Sequence, residues 1–336
     1  MQILSLRHKV CRLLRKGVLI KVNYIGVDIG GTQVKIGIID EKGTVRKASA
    51  YDVAFDGYAT PIIDTVVTKL TYFMKENGVK DSDLLGMGIS ATGQIDVNAG
   101  KVIGAAGHIK NWEGCCIKDH IKRIYSGPVT VMNDANCAAL AEQWIGGAKG
   151  ASDAVVITIG TGVGGGIIAN SEIICGAGGG AGELGHIQIR NNGKRCSCGN
   201  TGCYEQYASV TALVQMVKRA CKTGKLKSSL FGDGVINGRT IFNAAGKDSC
   251  LDKILDQWIG YVADGMVGII HIFNPQVVLI GGGVSAQKER FIDPLRTKVV
   301  NRIMPAYAQG LKLDAATLGN DAGMVGAVYY CMKHGK

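Results

Sequence analysis

Two stretches of this chain, VDIGGTQVKIGIID at 27–40 and ITIGTGVGGGIIAN at 157–170, align with each other without a gap. Gly30 falls on Gly160, and each stretch is typical of a strand, a glycine turn and a second strand. A repeat on the scale of a domain indicates duplication. We therefore expect two similar halves with a cleft between them.

The flanking segments alternate between helical and strand periodicity. Apolar residues recur at helical spacing over 61–77, and short apolar runs bounded by turns indicate strands. The expected strands are 24–29, 34–39, 45–50, 85–89, 129–133 and 277–280, and the expected helices are 61–77, 117–125, 136–145, 251–273 and 320–333. This alternation predicts an α/β architecture.

The composition is that of a globular protein, and it disfavours several functions. The 336 residues suffice for two domains, and no apolar run approaches the roughly 20 residues of a membrane span. Six of the net +11 charges lie in 1–23, which lacks acids and is too short for a helix-turn-helix domain. We expect this basic leader to be a non-native extension, with a surface helix that binds an anionic partner as the alternative. We expect no nucleic-acid or membrane partner.

Most of the 11 cysteines lie in apolar or helical runs without any secretory signal, which predicts a reducing cytoplasm. A histidine and three cysteines form the exception, because they lie within eighteen residues of one another. These four residues, His186, Cys196, Cys198 and Cys203, suffice for a closed tetrahedral zinc site. Unmetallated thiols or redox chemistry are the alternatives. With four protein ligands no position is left for an activated water, so a structural metal is favoured over a zinc-dependent hydrolase.

Two carboxylates, Glu183 and Glu205, flank this cluster and are not needed by a four-coordinate metal. They indicate that the metal shapes a polar pocket.

The two glycine turns suit phosphate binding. Asp28 precedes the first turn and is suited to the magnesium of a nucleotide triphosphate, and Thr32 adds a hydroxyl donor. An ordinary hairpin turn is the alternative for either turn alone. Two turns that face one cleft would hold a polyphosphate from both sides. Gly281–Gly283, after the expected strand at 277–280, would let a flat ring lie against the backbone, or form only a strand-to-helix turn.

Asn133 and Asp134 directly follow the run VTVM of the strand expected at 129–133. Asp134 is either a helix N-cap or a carboxylate at the cleft that accepts a proton from an alcohol. Its position in the sequence does not decide between the two.

Five segments together resemble the ROK family (repressors, open reading frames and sugar kinases) from about residue 24 to 330. These segments are DIGGT, NDANCAA, ITIGTGVGGG, GELGH and CSCGNTGCYE. The resemblance implies a duplicated actin/hexokinase-type (ribonuclease H-like) α/β fold. We expect a small domain over 24–133, to which 320–336 returns, and a large domain with the zinc-binding loop over 134–319.

The resemblance also implies a role for each matching residue. Asp134 is the general base. The sugar-binding residues are Gly93, Asn133, Asp134, Glu183, His186 and Glu205. The zinc ligands are His186, Cys196, Cys198 and Cys203. The nucleotide-binding residues are Asp28, Gly30, Gly31, Thr32, Gly160, Thr161, Gly162, Gly164, Gly165, Gly281, Gly282 and Gly283.

The expected function is ATP- and magnesium-dependent phosphorylation of a hexose, with glucose 6-phosphate as the favoured product. N-acetylmannosamine, N-acetylglucosamine, fructose, allose or a β-glucoside are alternative substrates, and a sugar-responsive transcriptional regulator is the alternative class. A homodimer or homotetramer is implied by the family. Two departures bear on the substrate: Thr92 precedes Gly93 where the family often has proline, and His108 takes the place of an asparagine, unless Asn111 serves instead.

Overall fold

The computed structural model describes residues 23–53, 56–104, 109–232 and 234–335. Nearly all of the expected basic leader at 1–23 lies outside the described residues. The strands are β1 (Asn23–Ile29), β2 (Gln33–Asp40), β3 (Val45–Asp52), β4 (Leu84–Ala91), β5 (Gln94–Asp96), β6 (Lys101–Gly104), β7 (Val129–Asn133), β8 (Ala154–Ile159), β9 (Val163–Ala169), β10 (Glu172–Ile173), β11 (Val277–Gly281) and β12 (Lys312–Ala315).

Two sheets of five strands share one topology. The first has the order β3-β2-β1-β4-β7 and the second the order β10-β9-β8-β11-β12. In each sheet the first three strands in chain order pair antiparallel, and the last two add in parallel. The internal repeat predicted from the sequence is therefore confirmed by the strand order.

Helices cover the sheets and carry the chain between them. They are α1 (Ile62–Glu76), α2 (Ile117–Lys122), α3 (Asp134–Trp144), α4 (Glu205–Ala208), α5 (Val210–Lys222), α6 (Gly238–Ala244), α7 (Ser249–Phe273), α8 (Asp293–Val300), α9 (Pro305–Ala308) and α10 (Ala322–His334). Each sheet has its own apolar core, the first around Trp112 and the second around Trp258, both nearly inaccessible to solvent. Among the described helices, none is long and apolar enough to cross a membrane.

Two helices, α3 and α10, pack against each other between the sheets. Helix α3 follows β7 of the first sheet but packs on β8 and β9 of the second. Helix α10 follows β12 of the second sheet but packs on β1 and β4 of the first. The chain therefore crosses between the sheets twice, once through α3 and once through the segment that enters α10.

Helix α10 approaches its neighbours backbone to backbone. A Cβ atom on Gly88 of β4 would lie 2.1 Å from the carbonyl oxygen of Ala327, and one on Gly326 would lie 1.7 Å from that of Cys137 in α3. Real Cβ atoms do not approach oxygen this closely, so only glycine fits at either contact. These glycines fix α10 tightly against β4 and α3.

The observed helix α3 begins two residues before the expected start at residue 136. The reason is the capping group: Asn133 is the N-cap, and its Oδ1 accepts hydrogen bonds from the backbone N–H groups of Ala135 (2.9 Å) and Asn136 (3.2 Å). The interpretation of Asp134 as the N-cap is therefore wrong. Asp134 occupies the first helical position.

Candidate functional site

The Asp134 carboxylate lies among other acidic groups. It accepts hydrogen bonds from the Ala135 backbone N–H (2.8 Å) and from the Thr92 side chain. Burial, together with the charges of Asp28 and Glu183, raises the pKa of Asp134 to about 6. The strand end of β1, the first turn of α3 and the segment that precedes the cysteine cluster thus meet at one place. A carboxyl with this pKa is suited to accept a proton near neutral pH.

Asp28, in β1, is held by a residue of the neighbouring strand. The Ser90 hydroxyl of β4 donates to Asp28 Oδ1 at 2.6 Å, and burial raises the pKa of Asp28 even though Ser90 and Lys35 oppose the shift. Ser90 was not predicted from the sequence, and Thr92 was noted only as a departure before Gly93, not as a partner of Asp134. The available signal was their place at the end of β4, which pairs in parallel with β1 and so ends at the same edge of the sheet.

Two side chains anchor the loop after β4. The Trp112 indole donates to the Thr92 carbonyl (2.9 Å), and the Asn133 amide donates to the Gly93 carbonyl (2.9 Å). Asn133 thus uses its oxygen for the helix cap and one N–H for Gly93, which leaves one N–H for a ligand. Asn111 has a left-handed backbone, with φ of 57°, whereas His108 lies outside the described residues.

The first glycine turn, Gly30 to Thr32, connects β1 to β2. The Gly30 N–H donates to the Gln33 carbonyl (3.0 Å), and the Tyr58 hydroxyl donates to the Gly31 carbonyl (2.8 Å). These contacts hold the turn in a fixed position beside Asp28.

The second turn, Gly160 to Gly162, connects β8 to β9 in the same way. The Thr211 hydroxyl donates to the Thr161 carbonyl at 2.7 Å. Gly164 and Gly165, which we expected in the phosphate loop, lie instead within β9. A Cβ on Gly165 would come within 2.4 Å of Leu184, next to Glu183, so the absence of a side chain there serves packing.

Glu205, the first residue of α4, connects the cysteine-containing loop to the second glycine turn. Its Oε2 accepts from the backbone N–H of Val163 at 3.0 Å. The other oxygen is not used by any hydrogen bond among the described residues. Glu205 therefore has one oxygen committed to the fold and one available to a ligand.

The histidine and the three cysteines converge as the sequence predicts. Their ligand atoms all lie within 4.8 Å of one another. His186 Nδ1 lies 3.5 Å from Cys196 Sγ, and the sulfurs of Cys198 and Cys203 are 3.6 Å apart. The edges of a tetrahedron with zinc–sulfur and zinc–nitrogen bonds of ordinary length are roughly 3.6–3.8 Å. The donor set and its spacing therefore fit zinc.

The pKa values of the cluster thiols also favour a bound cation. Although burial opposes ionisation, hydrogen bonds from Cys198, Cys203 and His186 lower the pKa of Cys196 to about 7. Burial and the neighbouring sulfurs raise the pKa of Cys203 to about 12. Three thiols without a cation cannot all ionise together, whereas a bound cation favours all three thiolates. The Gln206 side-chain amide adds a donor 3.7 Å from Cys196 Sγ, which the sequence analysis did not include.

His186 presents its two ring nitrogens to different partners. Nδ1 faces Cys196, whereas Nε2 lies 3.9 Å from Glu183 Oε2. A metal on Nδ1 would leave the Nε2–H as a donor fixed in direction. His186 can therefore hold a metal and contact a ligand at the same time.

Gly281 is the last residue of β11, which pairs with β8, and Gly282 and Gly283 follow it. Gly282 has a left-handed backbone with φ of 91°, and Gly283 begins a short 3-10 helix. This turn is a candidate for nucleotide binding and is distinct from the acidic group around Asp134.

Two repeated sheets joined by the crossing helices define the duplicated actin/hexokinase-type fold. Residues 24–334 match the family model described as ROK family. The glucokinase of Halalkalibacterium halodurans is 36% identical over 312 residues, which cover 90% of this chain and 93% of that protein. The chain belongs to the ROK family.

Two further relatives differ in function. The crystal structure of a ROK family glucokinase from Streptomyces griseus in complex with glucose and AMPPNP superposes with a TM-score of 0.79 at 33% identity, over 93% of this chain and 99% of that one. A xylose repressor of Caldicellulosiruptor bescii is 31% identical over 335 residues, which cover 94% of this chain and 80% of the repressor. The family thus contains both enzymes and regulators.

Proposed function

We propose that this protein is an ATP-dependent hexose kinase that transfers the γ-phosphoryl group to the 6-hydroxyl of glucose. The observation that carries the proposal is Asp134, a carboxylate with a pKa of about 6 that the helix does not need for capping. Asp28 and Glu183 lie close enough to raise that pKa. The similarity to glucokinases over nearly the whole chain supports glucose as the substrate.

In this mechanism Asp134 accepts the proton of the sugar hydroxyl as its oxygen attacks the γ-phosphorus. The bond from that phosphorus to the β,γ-bridging oxygen breaks, and ADP leaves. Asp28 would hold the magnesium ion, which neutralises charge on the transferring phosphoryl group. Positioning dominates such a reaction, so the turns at Gly30–Thr32 and Gly160–Gly162 would align the phosphates with backbone N–H groups.

Sugar recognition would rest on the residues around the cysteine cluster. Glu183, Glu205 Oε1 and the His186 Nε2–H would contact hydroxyls, and Asn133 would add its remaining N–H. Hydrogen bonds of this kind discriminate sugars that differ at a single hydroxyl. Zinc on His186 and the three cysteines would fix the loop that carries these groups. Gly164 and Gly165, at the start of β9, would border the second turn on the nucleotide side, and Gly281–Gly283 would border the adenosine.

The pH dependence of kcat/KM for the sugar should follow the ionisation of Asp134. Because the base acts as a carboxylate, we expect kcat/KM to fall about tenfold per pH unit below pH 6 and to level off above pH 7. The measurement is made at saturating MgATP. Thr92→Val removes a hydrogen bond that lowers this pKa, so its inflection should move to higher pH. That shift distinguishes Asp134 from the γ-phosphate, and an unmoved inflection would assign the titration to another group.

The activity itself is tested by coupled ADP release with glucose, mannose, fructose, allose, N-acetylmannosamine, N-acetylglucosamine and cellobiose. We expect glucose to give the highest kcat/KM. Absence of turnover with every sugar would refute the kinase proposal, and a preference for another sugar would correct the substrate. Sequence-specific DNA binding at a stated salt concentration would instead favour the regulator class.

The proposal also covers the domains and the oligomeric state of the protein. We place the small domain at 24–133 together with 320–336 and the large domain at 134–319, with a cleft between them that closes over the substrates and excludes water. The resemblance to the family supports a homodimer or homotetramer in the cytoplasm. Light scattering measures the oligomeric state.

A further inference from the structure

Glu142, near the end of α3, is a buried carboxylate that the proposed reaction does not use. Only 1% of its surface is exposed. Oε1 accepts from the backbone N–H groups of Thr317 (2.7 Å) and Leu318 (2.8 Å). Oε2 accepts from the Gly147 N–H (2.6 Å) and the Thr317 hydroxyl (2.9 Å). Four donors thus converge on a single side chain.

These donors belong to the two segments that carry the chain between the sheets. Gly147 lies after α3, where the chain enters β8 of the second sheet. Thr317 and Leu318 lie between β12 of the second sheet and α10, which packs on the first. Glu142 therefore links, by hydrogen bonds, the segment through which the chain enters the second sheet to the segment through which it returns to the first.

Each of the two linked segments adjoins a helix that contacts the acidic group of Asp134 and Asp28. Asp134 is the first residue of α3, the helix that contains Glu142. At the start of α10, Gly323 lies so close to Asp28 that a Cβ there would be 2.5 Å from Oδ1. The separation of Asp134 and Asp28 thus depends on how α3 and α10 are held relative to each other.

A carboxylate is the side chain that this arrangement requires. Burying a charge carries a desolvation cost, which the four hydrogen bonds offset. A glutamine of the same shape would place an NH2 group against N–H donors on one side, because only one of its terminal atoms accepts.

We propose that Glu142 is a positioning residue for phosphoryl transfer. It joins the two crossings so that Asp134 and Asp28 keep their separation as a fixed pair when one sheet rotates towards the other. This inference rests on the proposed kinase function. It adds a residue that contacts neither sugar nor nucleotide.

Glu142→Gln tests the proposal through the split between kcat and sugar binding. We expect kcat to fall at least tenfold, whereas the Kd of glucose in the absence of nucleotide changes less than twofold. The decrease in radius of gyration on addition of glucose and AMPPNP, measured by X-ray scattering, should be smaller than in the wild type. Glu76→Gln, an exposed glutamate at the end of α1, is the matched control and should change nothing.

A purely structural role would lower Tm but leave the kcat of the folded protein unchanged, and that result would overturn the proposal. Thr317→Val keeps the charge and the backbone donors and removes only the hydroxyl, so it serves if Glu142→Gln does not fold. We expect it to lower kcat two- to threefold without affecting the Kd of glucose. A wild-type kcat in Thr317→Val would then refute the role of Glu142.

Amide hydrogen exchange tests the role of Glu142 independently of the proposed kinase function. If the wild type phosphorylates no sugar, the kinase proposal fails, but the coupling of the crossings can still be measured. In Glu142→Gln, faster amide exchange at 316–319 should extend to 133–136 at the start of α3. Faster exchange confined to 316–319 would show that Glu142 holds one loop only.

Discussion

Asp134→Asn should lower kcat by roughly a thousandfold, because the amide cannot accept the proton of the sugar hydroxyl. The Kd of glucose should stay within about threefold of the wild-type value, since the substitution keeps the shape of the side chain. Steady-state kinetics and calorimetric titration measure the two quantities. The matched control is Asp293→Asn, because Asp293 is also the first residue of a helix, α8, and lies outside the site.

The same substitution should make the protein more stable. The folded state holds the Asp134 proton more tightly than the unfolded state, because its pKa is raised from 3.8 to about 6. Stability is therefore lost as the pH rises between these two values, and Asp134→Asn should recover up to about 3 kcal/mol above pH 6 but nothing below pH 4. Urea unfolding at pH 4 and pH 7.5 measures the difference.

For the kinetic prediction, a kcat of Asp134→Asn within tenfold of the wild type would exclude Asp134 as the base.

Removal of the proposed zinc should have the second large effect, on sugar binding. Purified protein should contain about one zinc per chain, and Cys203→Ser should abolish this stoichiometry. Because Glu183, His186 and Glu205 all lie within three residues of the cysteine cluster or belong to it, we expect the KM of the sugar to rise at least tenfold. The KM of ATP should change less.

Cys221→Ser, in α5, controls for the loss of a thiol outside the cluster. Metal analysis, kinetics and Tm are compared for the two variants. If the wild type contains no metal and its three cluster cysteines react freely with a thiol reagent, the zinc proposal is wrong. Wild-type sugar KM in Cys203→Ser would show that the loop keeps its shape without the metal.

Local patterns account for what could be predicted from the sequence. The hairpins around Gly30 and Gly160 were predictable because a strand, turn and strand leave their signature within fourteen residues. The convergence of His186 with three cysteines was predictable for the same reason, since these residues are close along the chain and need only short turns to meet.

The missed features depend on contacts between distant residues. Ser90 reaches Asp28 across 62 positions, and Glu142 reaches Thr317 across 175. No periodicity in the sequence records such pairings. The role of Asn133 as the helix cap was missed on a smaller scale, because asparagine and aspartate are both good N-caps and backbone geometry alone selects one.

The glycine contacts of α10 have a consequence for synthesis on the ribosome. Strands β1 and β4 leave the ribosome early, but the helix that Gly88 and Gly326 hold against them is the last described element of the chain. The first sheet therefore cannot complete its packing until the second sheet has been translated. Until then, the apolar face that α10 covers stays exposed, so the first half completes its folding only after α10 has been synthesised.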